Sequence, residues 1–256
     1  MNKKVISAMP TLAPSQASVL LQAEPEPLEI DLKRTAVIVI DMQNALLSKD
    51  GIFDKWGFSV LSHQKAVEPI KKINSAARSK GCKVIYITHC YSPDLRDSGG
   101  PNSPNWYKAR SLKEYLERPD YRDKLTILGT WGGDIVNELK PEEGDIILEK
   151  QRYSAFFGTN LSMILKTYDI RYLLFAGVFT NICVEASIRD AFYHDYFPVL
   201  ISDATVSIGP PFMQEATIFN VKFVYGWVTS TQNILDAIKQ QKKMAGQEFR
   251  GTVIKD

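Results

Sequence analysis

The sequence predicts an α/β protein: a three-layer α/β/α sandwich built on a doubly wound, mostly parallel six-stranded sheet. Three observations carry this reading. Short runs rich in Val, Ile and Leu alternate with helical periodicities along most of the 256 residues. The runs are continuously apolar, as strands buried on both faces are. Their strand–helix–strand order imposes right-handed crossovers, and so a parallel sheet covered on both sides. A chain of this length can bury a large core in one main domain without disulfide or metal staples.

Residues 1–34 read as an N-terminal arm, flexible or packed on the surface. It opens MNKKVISAMPTLAPSQASVLLQA, basic at the start, but Pro10, Pro14, Ser15 and Gln16 break the apolar residues and make a poor signal-peptide core. EPEPLEIDLKR then reads as a linker into a domain spanning 35–241. AVIVI at 36–40 is the first strand. Residues 67–80 place Val67, Ile70, Ile73, Ala76 and Ala77 at helical spacing, and Gly81 stops the helix. KVIYIT at 83–88 is the second strand. A long polar segment, 91–131, follows with a short helix near 112–116, and an insertion of that size in a compact domain is usually functional. Residues 134–139 suggest a short helix, and DIILE at 145–149 a third strand. Then come a helix at 161–168, a strand at 172–175, a helix at 183–193 and a strand at 199–202. A helix at 211–219, a strand at 222–225 and a helix at 229–240 complete the series, leaving 242–256 as a tail.

Composition excludes several classes. A formal charge of +2 gives no electrostatic case for nucleic acid, and no apolar run approaches a membrane span. Three cysteines do not suggest a secreted disulfide framework, and Cys82 and Cys90 match no zinc-ligand spacing. The cytoplasm is the expected location.

In open α/β sheets the ligand crevice lies beyond the carboxyl ends of the strands. Asp41 follows AVIVI, Lys150 follows DIILE, and Cys183 lies one turn past YLLFAG at a helix start. Alone, Asp41 could cap a turn, Lys150 could be a solvated strand end, and Cys183 could be a small core hydrophobe. Together they form a reactive set. Lys150 and the helix N-terminus would lower the thiol pKa from about 8.5. Asp41 would accept the thiol proton and return it to a leaving nitrogen. The turn GVFTNIC would aim backbone N–H groups at an oxyanion, with Gly177 supplying backbone freedom.

VIVIDMQN, EKQRYSAFFGTNL and AGVFTNICVEASIRDAF, followed by ISDAT, resemble the isochorismatase-like cysteine hydrolase superfamily over about residues 35–238. The resemblance implies a catalytic triad of Asp41, Lys150 and Cys183. It also implies a cis peptide between Val178 and Phe179, and an oxyanion hole from the backbone N–H groups of Phe179 and Cys183. Metal-binding relatives use an Asp-x-His element, which His63, His89 and His194 do not form, so neither metal nor cofactor is expected. Retention of Cys183 favours amide over vinyl-ether cleavage.

GGPNSPNW, LGTW, EKQRYSAFFGT and FNVKFVYGWV resemble the subgroup that hydrolyses ureidoacrylate, biuret and related carbamoyl amides. The implied reaction splits a urea-type or primary amide C–N bond through a thioester. This chain departs from that subgroup at His89-Cys90-Tyr91, where Asn-Gly-Trp is usual, and at Ala109-Arg110, where Ser-Asn is usual. Asn44, His89, Asn105, Arg110, Tyr153 and Gln214 are candidate substrate contacts. Arg110 would pair with a carboxylate. Trp106, Phe156 and Phe157 would close the pocket or a subunit contact, and a homodimer or homotetramer is expected. The alternatives are an isochorismatase, a nicotinamidase-like hydrolase of another small amide, or a non-catalytic binding protein on the same fold.

Overall fold

The computed structural model describes residues 17–248, with side chains described as far as residue 240. The first part of the arm and the end of the tail lie outside these. The strands are β1 (Ser18–Leu21), β2 (Leu28–Asp31), β3 (Thr35–Ile40), β4 (Lys83–His89), β5 (Ile146–Lys150), β6 (Tyr172–Val178), β7 (Phe197–Val206) and β8 (Trp227–Thr229). β1 and β2 form an antiparallel hairpin. The other six make one sheet in the order β5-β4-β3-β6-β7-β8, with every neighbouring pair parallel.

The apolar runs explain the layering. Every residue of β3 is buried, and alternate side chains point to opposite faces of a strand. Val37, Val39, Val84 and Leu174 join the core that takes in Ile70, Ile73 and Ala77 of the helix Val67–Arg78 and Ile234 and Ile238 of the helix Thr231–Glu248. Ala36, Ile38, Ile85 and Phe175 join a second core with Leu161 and Leu165 of the helix Leu161–Thr167 and Ile188 of the helix Glu185–Tyr193. Two cores on two faces make the three layers.

Four segments differ from expectation. The run at 222–225 is not a strand: it is a π-helical turn, Val221–Tyr225, that extends the helix Phe212–Asn220, and the last strand is β8. Phe223 and Val224 are exposed, so the apolar run does not mark a buried strand. Gly226 then brings the chain against Pro198 of β7, where a Cβ would lie 2.2 Å from the carbonyl oxygen. Residues 134–139 hold only a 3-10 turn, Asn137–Leu139, because Gln43 and Ile135 pair and the Val136 N–H donates to the Met42 carbonyl. The stretch read as a linker contains β2, whose Ile30 packs with Leu21 and Leu32 into the first core. The predicted tail is in part helix, since Thr231–Glu248 continues past residue 241.

The long segment after β4 contains the helices Pro104–Lys108 and Arg110–Glu117 and a 3-10 turn, Pro119–Lys124. It folds back on its own origin: Tyr91 N–H donates to the Thr126 carbonyl and Leu128 N–H to that of Tyr91. The insertion is thereby held over the carboxyl ends of the strands.

Candidate active site

Parallel register brings the site together. Ile40 of β3 lies beside Ile87 of β4 and Gly177 of β6, and His89 lies beside Lys150 of β5. Asp41 leaves β3 with φ of 53°, its N–H donating to the Ile87 carbonyl at 2.8 Å. Gly177 has φ of +114°, and a Cβ there would stand 2.0 Å from the Ile40 carbonyl oxygen. Glycine alone allows β6 to approach β3 at this point. The Val178–Phe179 peptide is cis, and a π-helical turn, Thr180–Val184, presents Cys183 ahead of the helix Glu185–Tyr193. Ser187 fixes that turn: its hydroxyl donates to the Cys183 carbonyl at 2.6 Å and accepts the Ala155 N–H at 2.9 Å.

At the floor, the fully buried Lys150 ammonium donates to Asp41 Oδ2 at 2.8 Å and to His89 Nδ1 at 3.3 Å. Donor atoms of Asp41, His89 and Cys183 lie within 4.8 Å of one another. Asp41 Oδ1 is buried and has no hydrogen-bond partner among the described residues. Gln43 braces this corner. Its Oε1 accepts the His89 N–H at 2.8 Å, and its amide nitrogen donates to the Gly133 carbonyl at 2.8 Å.

Electrostatics correct one expectation. Burial, and then the Asp41 carboxylate, push the Cys183 thiol pKa up and outweigh Lys150, so the resting sulfur is a thiol and not a thiolate. Burial raises the Asp41 pKa against the pull of Lys150. Burial alone would lower the Lys150 pKa, yet on balance it is raised, with the facing Asp41 carboxylate the leading cause, and the ammonium is retained. The arrangement therefore suits general-base removal of the thiol proton during attack. Cys82 and Cys90 are pushed up to about 12 by burial and are inert core thiols. The carboxylate, imidazole and thiol could ligate a metal by type. Here Lys150 already bonds both the Asp41 carboxylate and the His89 ring, so the cation those groups hold is an ammonium.

A pocket of about 180 Å³ opens over this floor. Leu46, Ile52, Phe53, Trp56, Phe179 and Ile182 give it an apolar lining, to which Thr126 and Tyr153 add polar groups. Lys108, Arg110 and Ser111 complete the lining from the insertion. Of the candidate contacts, His89, Arg110 and Tyr153 line the pocket; Asn44, Asn105 and Gln214 do not. Asn44 donates to the Trp131 carbonyl, Asn105 bonds Tyr91 and the Ser98 carbonyl, and Gln214 bonds Ser207 and the Ser202 carbonyl. Nor do Trp106, Phe156 and Phe157 line it. Phe156 packs on His194 and Tyr196, Trp106 on the first core, and Phe157 is exposed. His63 is buried with its edge against the Phe179 ring. Sequence reasoning assigned no role to Gln43, Phe53, Trp56 or Thr126. Trp56, in the aromatic-rich run GIFDKWGF at 51–58, was the usable signal.

Residues 35–233 match the isochorismatase domain. Among curated proteins, ureidoacrylate amidohydrolase RutB of Agrobacterium fabrum is 44% identical over 220 residues, covering 86% of this chain and 96% of that protein. The Serratia proteamaculans protein of the same name is 39% identical, over 88% of this chain and 90% of its own. Among solved structures, a cysteine hydrolase from Pseudomonas syringae pv. phaseolicola 1448A superposes with a TM-score of 0.69 at 25% identity, covering 90% of this chain and 100% of that one. N-carbamoylsarcosine amidase from Thermoplasma acidophilum superposes with a TM-score of 0.58 at 25% identity, covering 77% and 96%.

Proposed function

The chain belongs to the isochorismatase family, and from that premise we propose that it is a cysteine amidohydrolase cleaving a C–N bond of a small ureido or carbamoyl compound. Ureidoacrylate and biuret are the types expected. The observation that carries the reading is the buried Lys150–Asp41 pair, with an open carboxylate oxygen beside the Cys183 thiol at the floor of a pocket. The names of the relatives support the amide chemistry.

The reaction runs in two halves. As the Cys183 sulfur bonds to the substrate carbonyl carbon, its proton passes to Asp41, and Lys150 balances the negative charge. The oxyanion is held by the backbone N–H groups of Phe179 and Cys183. Collapse breaks the C–N bond, and Asp41 returns its proton to the departing nitrogen, leaving an acyl or carbamoyl thioester. Water then attacks that carbon and gives a proton to Asp41. The C–S bond breaks, and the proton restores the thiol.

The test is Cys183→Ser. A serine hydroxyl is far harder to ionise here, so turnover should fall by orders of magnitude while the fold persists. Ammonia release from ureidoacrylate, biuret, N-carbamoyl amino acids and simple amides measures it, and intact-mass spectrometry should catch the adduct on wild-type protein. A variant keeping about a tenth of turnover would remove the nucleophile assignment. Fast hydrolysis of nicotinamide or isochorismate, with none of ureido compounds, would remove the substrate class.

A further inference from the structure

We propose that His89 is a positioning residue: it holds the Lys150 ammonium on one oxygen of Asp41 and so keeps the other open as the base for Cys183. The proposal rests on the nucleophile reading above. An ammonium can only donate, so the 3.3 Å contact makes His89 Nδ1 the acceptor and puts the ring proton on Nε2. Two of the three N–H donors of Lys150 are thereby assigned, one to Asp41 Oδ2 and one to His89. A buried ammonium facing a carboxylate with no other acceptor can swing between its two oxygens or bridge them. An imidazole at the second donor fixes the direction of the whole group. The hydrogen-bond pattern fits this role: Oδ2 accepts from Lys150, and Oδ1 has no hydrogen-bond partner among the described residues.

His89 is itself built in place. It lies next to Lys150 in the strand register. Gln43 accepts from its backbone N–H at 2.8 Å and donates to its carbonyl at 3.3 Å. The ring meets the Tyr91 ring nearly edge-on, with centroids 5.1 Å apart, and stacks on Tyr153 at 6.2 Å. Burial, reinforced by the Lys150 charge, holds its pKa well below the ordinary imidazole value, which keeps the Nδ1 lone pair available.

The test compares His89→Phe, which keeps an aromatic ring and removes the acceptor, with His89→Asn, which returns one. Losing a hydrogen bond to a charged group should lower kcat about 10- to 100-fold in His89→Phe. KM should stay within about twofold, because the substrate is not what the ring holds. Iodoacetamide alkylation of Cys183, which reads the base without any substrate, should slow in parallel. His89→Asn should recover most of both. Should His89→Phe not fold, His89→Leu carries the same expectation. A rise in KM with kcat intact would make His89 a substrate contact and overturn the proposal, as would an Asn variant no better than Phe. An inactive Cys183→Ser beside a fully active His89→Phe overturns this proposal alone, whereas an active Cys183→Ser overturns the nucleophile reading and this proposal with it.

Discussion

Asp41 has to be a base while buried, and that requirement leaves a mark on the pH profile. Its pKa is raised because burial outweighs Lys150, yet it accepts a proton only when ionised. Activity should therefore be absent below its pKa and appear as pH rises through it. The acid limb of kcat/KM should lie above the ordinary carboxylate value of about 4. A pH–rate profile checks this, and a limb at or below that value contradicts it. Arg110 makes a second prediction. Its guanidinium lies 4.0 Å above the Trp56 ring and 3.9 Å from Glu114, half exposed beside Lys108 on the pocket wall. Arg110→Ala should raise KM for an anionic ureido acid about tenfold and leave neutral biuret little changed. Steady-state kinetics on both substrates decides it, and equal effects would remove the carboxylate clamp. The reactive trio could be found in the sequence because strand ends locate it. The amide side chains could not be sorted the same way. Nothing in the chain separates an Asn44 that bonds the Trp131 carbonyl from one that faces a ligand.

At the level of elements, the contact between β6 and β3 sets the site, and Gly177 is its tightest point. Gly177→Ala combines a φ that L side chains rarely adopt with a Cβ driven onto the Ile40 carbonyl. The cost should be about 3 kcal/mol or more, read as a large fall in Tm or in soluble yield. A variant melting with wild type would mean that the two strands separate easily. The central strands were legible because burial on both faces leaves a continuous apolar run, as in AVIVI. The final strand was not. FVY at 223–225 has strand composition, but the helix before it carries on through those residues, and the three-residue β8 is too short to show a period. β2 was hidden by the acidic, proline-rich EPEP that precedes it, although Ile30 is buried.

For the whole molecule, no helix among the described residues is long and apolar enough to cross a membrane. Phe192, Tyr193, Phe219 and Phe223 are exposed, the last two stacked with centroids 5.4 Å apart. We propose that a second copy of the chain covers this aromatic surface, since large exposed apolar patches usually mark interfaces. Light scattering at micromolar concentration should give a dimer or tetramer, and Phe219→Ser with Phe223→Ser should shift it toward monomer. A monomeric wild type would contradict this. The hairpin carries a different consequence. Between its strands, Glu24 exchanges both backbone hydrogen bonds with Val228 of β8, at 2.8 and 2.9 Å, on the side away from β7. Those two groups would otherwise be an open template onto which another chain could add a strand. A protein shortened to begin at Thr35 would lose this cover and, with it, the core side chains Val19, Leu21, Ile30 and Leu32. It should melt earlier and grow turbid on concentration, so the hairpin would serve core packing and colloidal life together.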